Sequence, residues 1–226
     1  MRRKSQGEAG QRAKDRIIDA AEALIAEFGI NGVTFREIGL AAGQLNKSAV
    51  QYHFGTKTSL VNEIMKQRHS FLDGKRNELF SEIEKTGRLE TVRACLELFY
   101  RPLIELTDKN GRHTYAKFFL QYLLAIKYED NIIHPGFTDN KELISHKVYL
   151  ILQSILWFLP EPILLSRLDK IHGMFFVALL GYDNAIAHEE AHQPLDEFID
   201  ELFNLMSAAI KAPMPESSSR GSIQDS

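Results

Sequence analysis

The sequence predicts an all-α protein. Apolar residues recur three and four positions apart through most of the 226 residues, which is the spacing of one helical face. Glycines and prolines occur mainly between these segments, where they end one helix and allow the next to begin. No segment shows the alternation of a half-buried strand, and no repeat is present. We therefore expect an N-terminal three-helix domain joined by a long helix to a C-terminal helical bundle.

The first two helices are separated by a glycine-rich break. Helix one covers residues 17–28 and ends before Gly29-Ile30-Asn31-Gly32. Thr34 and Glu37 have the spacing of a capping box, which satisfies unpaired N–H groups at a helix start. Gly43 then ends this second helix, because glycine adopts a left-handed backbone without strain. The inner face of the second helix carries Phe35, Ile38 and Ala42.

A third helix begins near Asn46. Val50 and Phe54 are spaced i, i+4 and form its inward side. The side chains left facing outward are Lys47, Ser48, Gln51, Tyr52 and His53. Two short helices joined at a glycine, with a polar second helix, are typical of a helix-turn-helix, whose second helix enters the DNA major groove.

The rest of the chain predicts a larger helical body. Thr56 has the position of an N-cap for a long helix over residues 57–84, and the last helix carries apolar residues through 195–210. We divide the chain into a flexible basic arm (1–11), a helix-turn-helix domain (12–57), a ligand-binding and dimerisation domain (58–211) and a disordered tail (212–226). The tail contains two prolines and five serines.

Composition favours a cytoplasmic protein. No run approaches the roughly 18 apolar residues that a membrane span needs. The basic residues at the start are not followed by the apolar stretch of a secretory signal. The single cysteine, Cys95, excludes an internal disulfide and fits a reducing compartment. We expect Cys95 to be buried and inert, because it lies on an apolar helix.

Charge is unevenly distributed along the chain. Residues 1–68 carry 11 Lys/Arg and 7 Asp/Glu, a net charge of +4, whereas residues 69–226 carry 16 and 23, a net charge of −7. This arrangement concentrates attraction to phosphate at the N-terminal end. Two alternatives remain for the first ten residues, contact along a DNA backbone or a solubilising tail. The basic side chains of this end are Arg2, Arg3, Lys4, Arg12, Lys14 and Arg16.

Residues 12–66 resemble the DNA-binding domain of the TetR (tetracycline-repressor) family of bacterial transcriptional regulators. The resemblance rests on the helix at 17–28 and on Gly29, Thr34, Ile38, Ala42-Gly43, Tyr52-His53-Phe54, Lys57 and Leu60. One departure is an extra residue between Ala42-Gly43 and Tyr52-His53-Phe54. We expect it in the turn, where it affects which side chain leads into the groove.

The resemblance implies specific DNA contacts. It places toward DNA the residues Lys47, Ser48, Ala49, Gln51, Tyr52 and His53. Gln51 can pair bidentately with adenine, and Lys47 can donate to guanine acceptors. Ser48, Tyr52 and His53 are suited to contacts with phosphate or sugar, and such contacts fix the register of the protein on DNA without reading the sequence. Thr34 and Arg36 lie at a helix N-terminus, which favours an anion, and by resemblance Lys57 meets a phosphate.

Aromatic residues of the body suggest a pocket. Apolar pockets with a few polar groups are common ligand sites between helices, and the resemblance implies a small hydrophobic or aromatic effector. The candidate lining residues are Phe99, Tyr100, Phe118, Tyr122, Trp157 and Phe175. Simple packing is the alternative for each of them.

The last two helices are the expected dimer interface. By resemblance they form a four-helix interface with a second copy. Their apolar content exceeds what one buried face needs, and the residues that support this expectation are Phe175, Leu179, Tyr182, Leu202 and Leu205.

One motif points to another class of protein. The run His188-Glu189-Glu190-Ala191-His192 matches His-Glu-x-x-His, which in zinc proteases places two histidines on one helical face. Here Pro194 follows closely, and no third ligand motif is evident. The alternatives are therefore a metal-dependent hydrolase built on His188 and His192, and an architectural DNA-binding dimer without an effector.

We predict a homodimeric, non-enzymatic repressor without cofactor or metal. Its expected partners are double-stranded operator DNA and a small hydrophobic effector, with no membrane. While bound to a palindromic operator, the protein would be associated with the nucleoid. The effector would release the dimer from that operator.

Overall fold

The structure is a computed structural model that describes residues 2–44, 46, 48–127 and 143–214. All regular secondary structure in these ranges is helical, which confirms the predicted fold class. Lys47 and the predicted tail beyond residue 214 lie outside the described residues. None of the described helices is both long and apolar enough to cross a bilayer.

Three helices form the N-terminal part: α1 (Arg2–Phe28), α2 (Phe35–Ala41) and α3 (Ala49–Phe54). The backbone of α1 is helical through most of the segment predicted as a basic arm. At the start of α2 the capping box is present: the Thr34 N–H donates to Glu37 Oε2 at 2.7 Å, and the Glu37 N–H donates to Thr34 Oγ1 at 3.2 Å.

Gly43 ends α2 as the sequence predicted. Its φ is +66°, a left-handed value that favours glycine. Its N–H donates to the Leu40 carbonyl at 3.0 Å, and the Gln44 N–H donates to the Gly39 carbonyl at 2.9 Å. These two hydrogen bonds are the Schellman arrangement, which satisfies carbonyl groups at a helix end.

Six helices follow in the described part of the chain. The long helix α4 starts at the predicted cap, where Thr56 Oγ1 accepts the Ser59 N–H at 3.0 Å. The order is α4 (Lys57–Lys85), α5 (Val92–Glu105), α6 (Thr114–Tyr122) with a π-helical turn (Leu123–Lys127), α7 (Ile144–Ile155), α8 (Glu161–Ala187) and α9 (Leu195–Lys211).

One hydrophobic core runs through both parts of the molecule. Helix α1 packs against α2, α4 and α6, so the N-terminal part and the body share an extended contact. In the body, α5 packs against α4, α7 and α9, and α8 packs against α6 and α9. Cys95 is fully buried, as predicted, and burial raises the pKa of its thiol to about 12.

The structure corrects the predicted dimer residues. Phe175 and Leu179 are completely buried inside a single chain, and Leu202 and Tyr182 are also buried there. They cannot form the centre of an interface, because they already fill the core of one copy. The periodicity was misleading since α8 is apolar on more than one face: Met174 and Val177 are 39% and 61% exposed.

Candidate nucleic-acid interface and cavity

Helix α3 is anchored by its apolar side. Val50 is fully buried and Phe54 is 8% exposed, as the i, i+4 spacing predicted. The helix begins at Ala49, three residues later than expected. The cause is Asn46, whose Oδ1 accepts the Ser48 N–H at 2.9 Å. This side-chain hydrogen bond gives the backbone a turn instead of a helix start.

The opposite side of α3 is polar and exposed. Ser48, Gln51 and His53 are exposed, and Tyr52 is 85% exposed with its ring 5.4 Å from that of His53. Gln51 Nε2 donates to the Gly55 carbonyl at 2.6 Å, so this amide must exchange one hydrogen bond to reach a base. Of the predicted DNA contacts on α3, Ala49 is the buried one, at 9% exposure.

The start of α2 lies in the same domain. Thr34 is exposed, but its hydroxyl donates to Glu37 Oε2 at 2.7 Å within the capping box. Those hydrogen bonds lower the pKa of Glu37. Arg36 is exposed. Lys57 Nζ donates to the Ile30 carbonyl at 2.9 Å, which leaves other ammonium hydrogens for a phosphate.

A cavity lies in the body, where helices α4 to α8 converge. It encloses about 40 Å³ and is mostly aromatic and apolar. Its lining comprises His69, Leu72, Arg76, Phe99, Tyr100, Leu103, Tyr115, Phe119, Ser145, His172 and Phe176. His69 also lines an open cleft of about 730 Å³, together with Asn62, Met65, Lys66, Ser70, Asp73, Gly74, Asn77, Tyr122, Leu143 and Ile144.

The structure separates the six predicted ligand residues. Phe99 and Tyr100 line the cavity, and Tyr122 lines the open cleft. Phe118 and Phe175 are fully buried in the surrounding core, where Phe175 packs on Tyr100 at a ring distance of 4.5 Å. Trp157 is 81% exposed and lines neither space.

Sequence reasoning missed the polar groups of the cavity. Arg76 Nη2 donates to the Phe99 carbonyl at 3.3 Å, whereas the buried Arg76 Nε and Tyr100 hydroxyl have no hydrogen-bond partner among the described residues. Burial lowers the pKa of Arg76. Burial and then the charge of Arg76 lower the pKa of His69 to about 4. The sequence did contain a signal for these polar groups. The spacing of His69, Leu72 and Arg76 places all three on one side of α4.

Comparison with known proteins identifies the N-terminal domain. Residues 17–64 match the family of bacterial regulatory proteins called the tetR family. The match identifies residues 17–64 as a domain of the kind that this family shares. We refer to residues 17–64 as the TetR domain. The matched family is one of bacterial regulatory proteins.

Two individual proteins are similar to this chain. The HTH-type transcriptional repressor KstR2 of Rhodococcus jostii (strain RHA1) is 36% identical over 87 residues, which cover 38% of this chain and 41% of KstR2. The match therefore spans less than half of that relative. The crystal structure of multidrug binding protein EbrR complexed with imidazole covers 90% of this chain and 91% of its own, with 19% identity and a TM-score of 0.43.

Polar contacts join the TetR domain to the body. Arg68 on α4 forms ion pairs with Glu22 (2.6 Å) and Asp19 (3.0 Å) on α1. Lys117 on α6 forms an ion pair with Glu27 at 2.6 Å near the end of α1. The sequence predicted α4 as the link, and the contact between α1 and α6 is a second one that it did not reveal.

The His-Glu-x-x-His run does not have the geometry of a zinc-protease helix. Helix α8 ends at Ala187 with His188 as its C-cap, and Glu189 has a left-handed φ of 56°. The two histidines therefore do not share a helical face. His188 Nδ1 pairs with the Asn184 carbonyl at 2.9 Å, and His192 Nδ1 pairs with the Gln193 carbonyl at 2.9 Å. The described residues contain no group of three His, Cys, Asp or Glu side chains suited to a metal.

Proposed function

We propose that the chain is a homodimeric transcriptional repressor that a small hydrophobic effector releases from a two-fold symmetric operator. The observation that carries the proposal is α3, which exposes Gln51, Tyr52 and His53 while Val50 and Phe54 fix it to the domain. A helix held in this way can enter a major groove with its polar side leading. The repressor role is also supported by the similarity to KstR2. Acting on chromosomal DNA would place the protein in the cytoplasm, at the nucleoid.

An exposed apolar surface supports the dimer. Met174 and Val177 on α8 and Leu205 on α9 are 39%, 61% and 56% exposed, and Gly181 continues the exposed side of α8. We call Met174, Val177, Gly181 and Leu205 the outer α8–α9 face. Exposed apolar side chains on neighbouring helices often mark an interaction site, and a two-fold interface covers them with the same surface of a second copy.

Helix α4 supports the switch. Arg68 on α4 holds α1 of the TetR domain, and Arg76 on the same helix lines the cavity. Eight residues of α-helix separate them by about 12 Å. A ligand that shifts α4 therefore moves the support of the TetR domain. Recognition helices in a simple two-fold site must lie about 34–36 Å apart, so a small change of separation weakens binding.

Selection of bound fragments from genomic DNA tests the proposal. We expect enrichment of a two-fold symmetric motif. Tyr52→Ala should weaken binding of that motif, whereas Trp157→Ala should leave it unchanged, because both rings are exposed but only Tyr52 lies on α3. No enriched motif, or equal behaviour of the two variants, would contradict the DNA-binding role. An asymmetric motif would contradict the dimer. An operator complex that no apolar ligand weakens would favour an architectural protein without an effector.

A further inference from the structure

The cavity contains donors that the protein itself does not use. Arg76 Nε and the Tyr100 hydroxyl are both shielded from solvent and have no partner among the described residues. Tyr100 is completely buried, and both residues line the same enclosed space. Buried polar groups are almost always hydrogen-bonded, and leaving one unpaired destabilises the fold. Two unused donors in one cavity indicate a missing acceptor.

The missing acceptor must also balance a charge. The Arg76 guanidinium is cationic, and no carboxylate of the described residues lies within ion-pair distance of it. Asp73 is one turn away on α4, but its Oδ1 accepts the Ile144 N–H at 3.1 Å, and it lines the open cleft instead of the cavity. A water molecule would pair with the donors without neutralising the charge. A carboxylate would do both, because a guanidinium fits its geometry.

The surroundings define the rest of the ligand. The enclosed space of about 40 Å³ holds little more than one small polar group. Its other walls are mainly aromatic, including Phe99 and Phe119. His69 borders both this space and the open cleft of about 730 Å³, so a ligand that reaches both must pass this side chain. Apolar side chains of the cleft, among them Met65 and Tyr122, would contact the body of such a ligand.

We propose that the effector is an apolar carboxylic acid whose carboxylate accepts hydrogen bonds from Arg76 Nε and the Tyr100 hydroxyl. The proposal rests on the effector role given above to the body of the protein, and it defines the chemical class of the effector. His69 lies beside the carboxylate site and is neutral at pH 7, since its pKa is about 4. The Arg76 guanidinium is the cation of the cavity lining that a carboxylate would neutralise.

Calorimetry on the full chain without DNA tests the proposal. The probes are 4-phenylbutanoic acid and decanoic acid, each paired with its primary amide, which has the same apolar body without the charge. We expect each acid to bind about tenfold to a hundredfold more tightly than its amide, the effect of a charge-assisted hydrogen bond. Equal binding of acid and amide, or no binding of either acid, would overturn the proposal.

Three variants assign the preference to the cavity. Arg76→Gln should abolish the difference between acid and amide, and Arg76→Lys should retain part of it. Lys75→Gln is the matched control, because it removes a positive charge from the adjacent residue, which is outside the cavity lining. It should leave the difference unchanged. If Lys75→Gln and Arg76→Gln reduce the difference equally, the acid responds to overall charge and the proposal fails.

A milder variant covers the possibility that Arg76→Gln does not fold. Tyr100→Phe removes one hydroxyl without changing the shape of the core, and we expect it to weaken acid binding severalfold while amide binding stays constant. Unchanged acid binding in Tyr100→Phe would contradict the proposed position of the carboxylate. Operator binding without any probe is measured separately. Intact operator binding with no acid preference would reject this inference and leave the proposed DNA-binding role standing.

Discussion

Arg68 donates a hydrogen bond from Nε to Glu22 Oε2 at 2.6 Å, and this ion pair joins α4 to α1. The Glu22 side chain is only 8% exposed, and Arg68 is 23% exposed. Burial raises the pKa of Glu22, and the adjacent Arg68 guanidinium partly offsets that effect. A second hydrogen bond, from Arg68 Nη2 to Asp19 Oδ1, is 3.0 Å long. The TetR domain is therefore held to the body by a shared helix and by a partly buried ion pair.

Replacing Arg68 should destabilise the protein. Arg68→Ala leaves the buried Glu22 without its cation, which we expect to lower the free energy of unfolding by about 2–4 kcal/mol. Urea denaturation measures this change. The control is Lys75→Ala, whose 3.4 Å pair with Glu78 lies at the surface and should contribute less than about 1 kcal/mol. Equal losses in the two variants would show that the Arg68 pair does not secure the domain.

Local signals predicted where α2 and α4 begin and where α2 ends. Thr34 and Thr56 cap α2 and α4 as their sequence contexts indicated, and Gly43 ends α2. These features depend on hydrogen bonds between residues a few positions apart, so a single sequence contains the information. The buried positions of Val50 and Phe54 follow from periodicity for the same reason.

Long-range relationships were not predictable in the same way. Periodicity shows that α8 is apolar, but it does not show that Phe175 faces the core of its own chain while Val177 faces outward. Aromatic character likewise did not distinguish Tyr100, in the cavity, from the exposed Trp157. The position of Arg76 depends on five helices that are distant in sequence. Such contacts are set by packing between elements, which local pattern does not encode.

Gln51 should contribute to base recognition. Gln51→Ala removes the amide that can pair with adenine, and we expect a loss of about 1–3 kcal/mol at one position of each half-site. Folding should be little affected, because the Gly55 carbonyl that loses its partner lies at an exposed helix end. Anisotropy titrations on the selected site and its single-base variants measure the effect. An unchanged base preference would mean that another side chain of the turn or of α3 leads into the groove.

Lys57 should contribute to affinity without base preference. Lys57→Met keeps the apolar stem but removes the ammonium group, so binding to all sequences should weaken alike. The slope of log affinity against log salt should fall by about one unit per half-site. The same titrations at several salt concentrations measure this slope. A loss of affinity for one sequence alone would contradict a phosphate contact. A salt dependence equal to that of the wild type would contradict it as well.

The outer α8–α9 face should determine the oligomeric state. Val177→Asp places a charge at a position that is 61% exposed in one chain, so the fold of each chain should persist. In a two-fold interface the same change buries two unpaired charges, which is strongly unfavourable. We expect a monomer by light scattering and a collapse of operator affinity, because two half-site contacts no longer act together.

Two variants control for the dimer prediction. Trp157→Asp changes another exposed apolar residue, one that lies outside the outer α8–α9 face, and the protein should remain a dimer. Phe175→Asp should instead unfold the chain, since Phe175 is fully buried. If Val177→Asp remained dimeric and bound the operator normally, the interface would lie elsewhere.

His69 should make stability depend on acidity. Burial, and then the charge of Arg76, lower its pKa from 6.5 to about 4 in the folded protein. The folded state therefore favours the neutral imidazole. The contribution of neutral His69 to the free energy of unfolding is fully present above the pKa of the unfolded state. It is lost as the pH falls from 6.5 toward 4. Linkage limits that loss to about 3 kcal/mol.

Urea denaturation between pH 7.5 and 4.5, a range chosen to span roughly both pKa values, measures this dependence. The wild type should lose more stability on acidification than His69→Gln, which has no titrating group at this position. His188→Gln is the control, because His188 is exposed at the end of α8, and its curve should follow the wild type. Arg76→Gln should reduce the dependence, since it removes the positive charge that opposes protonation of His69. Parallel curves for the wild type and His69→Gln would show that His69 is accessible to water and does not belong to an enclosed site.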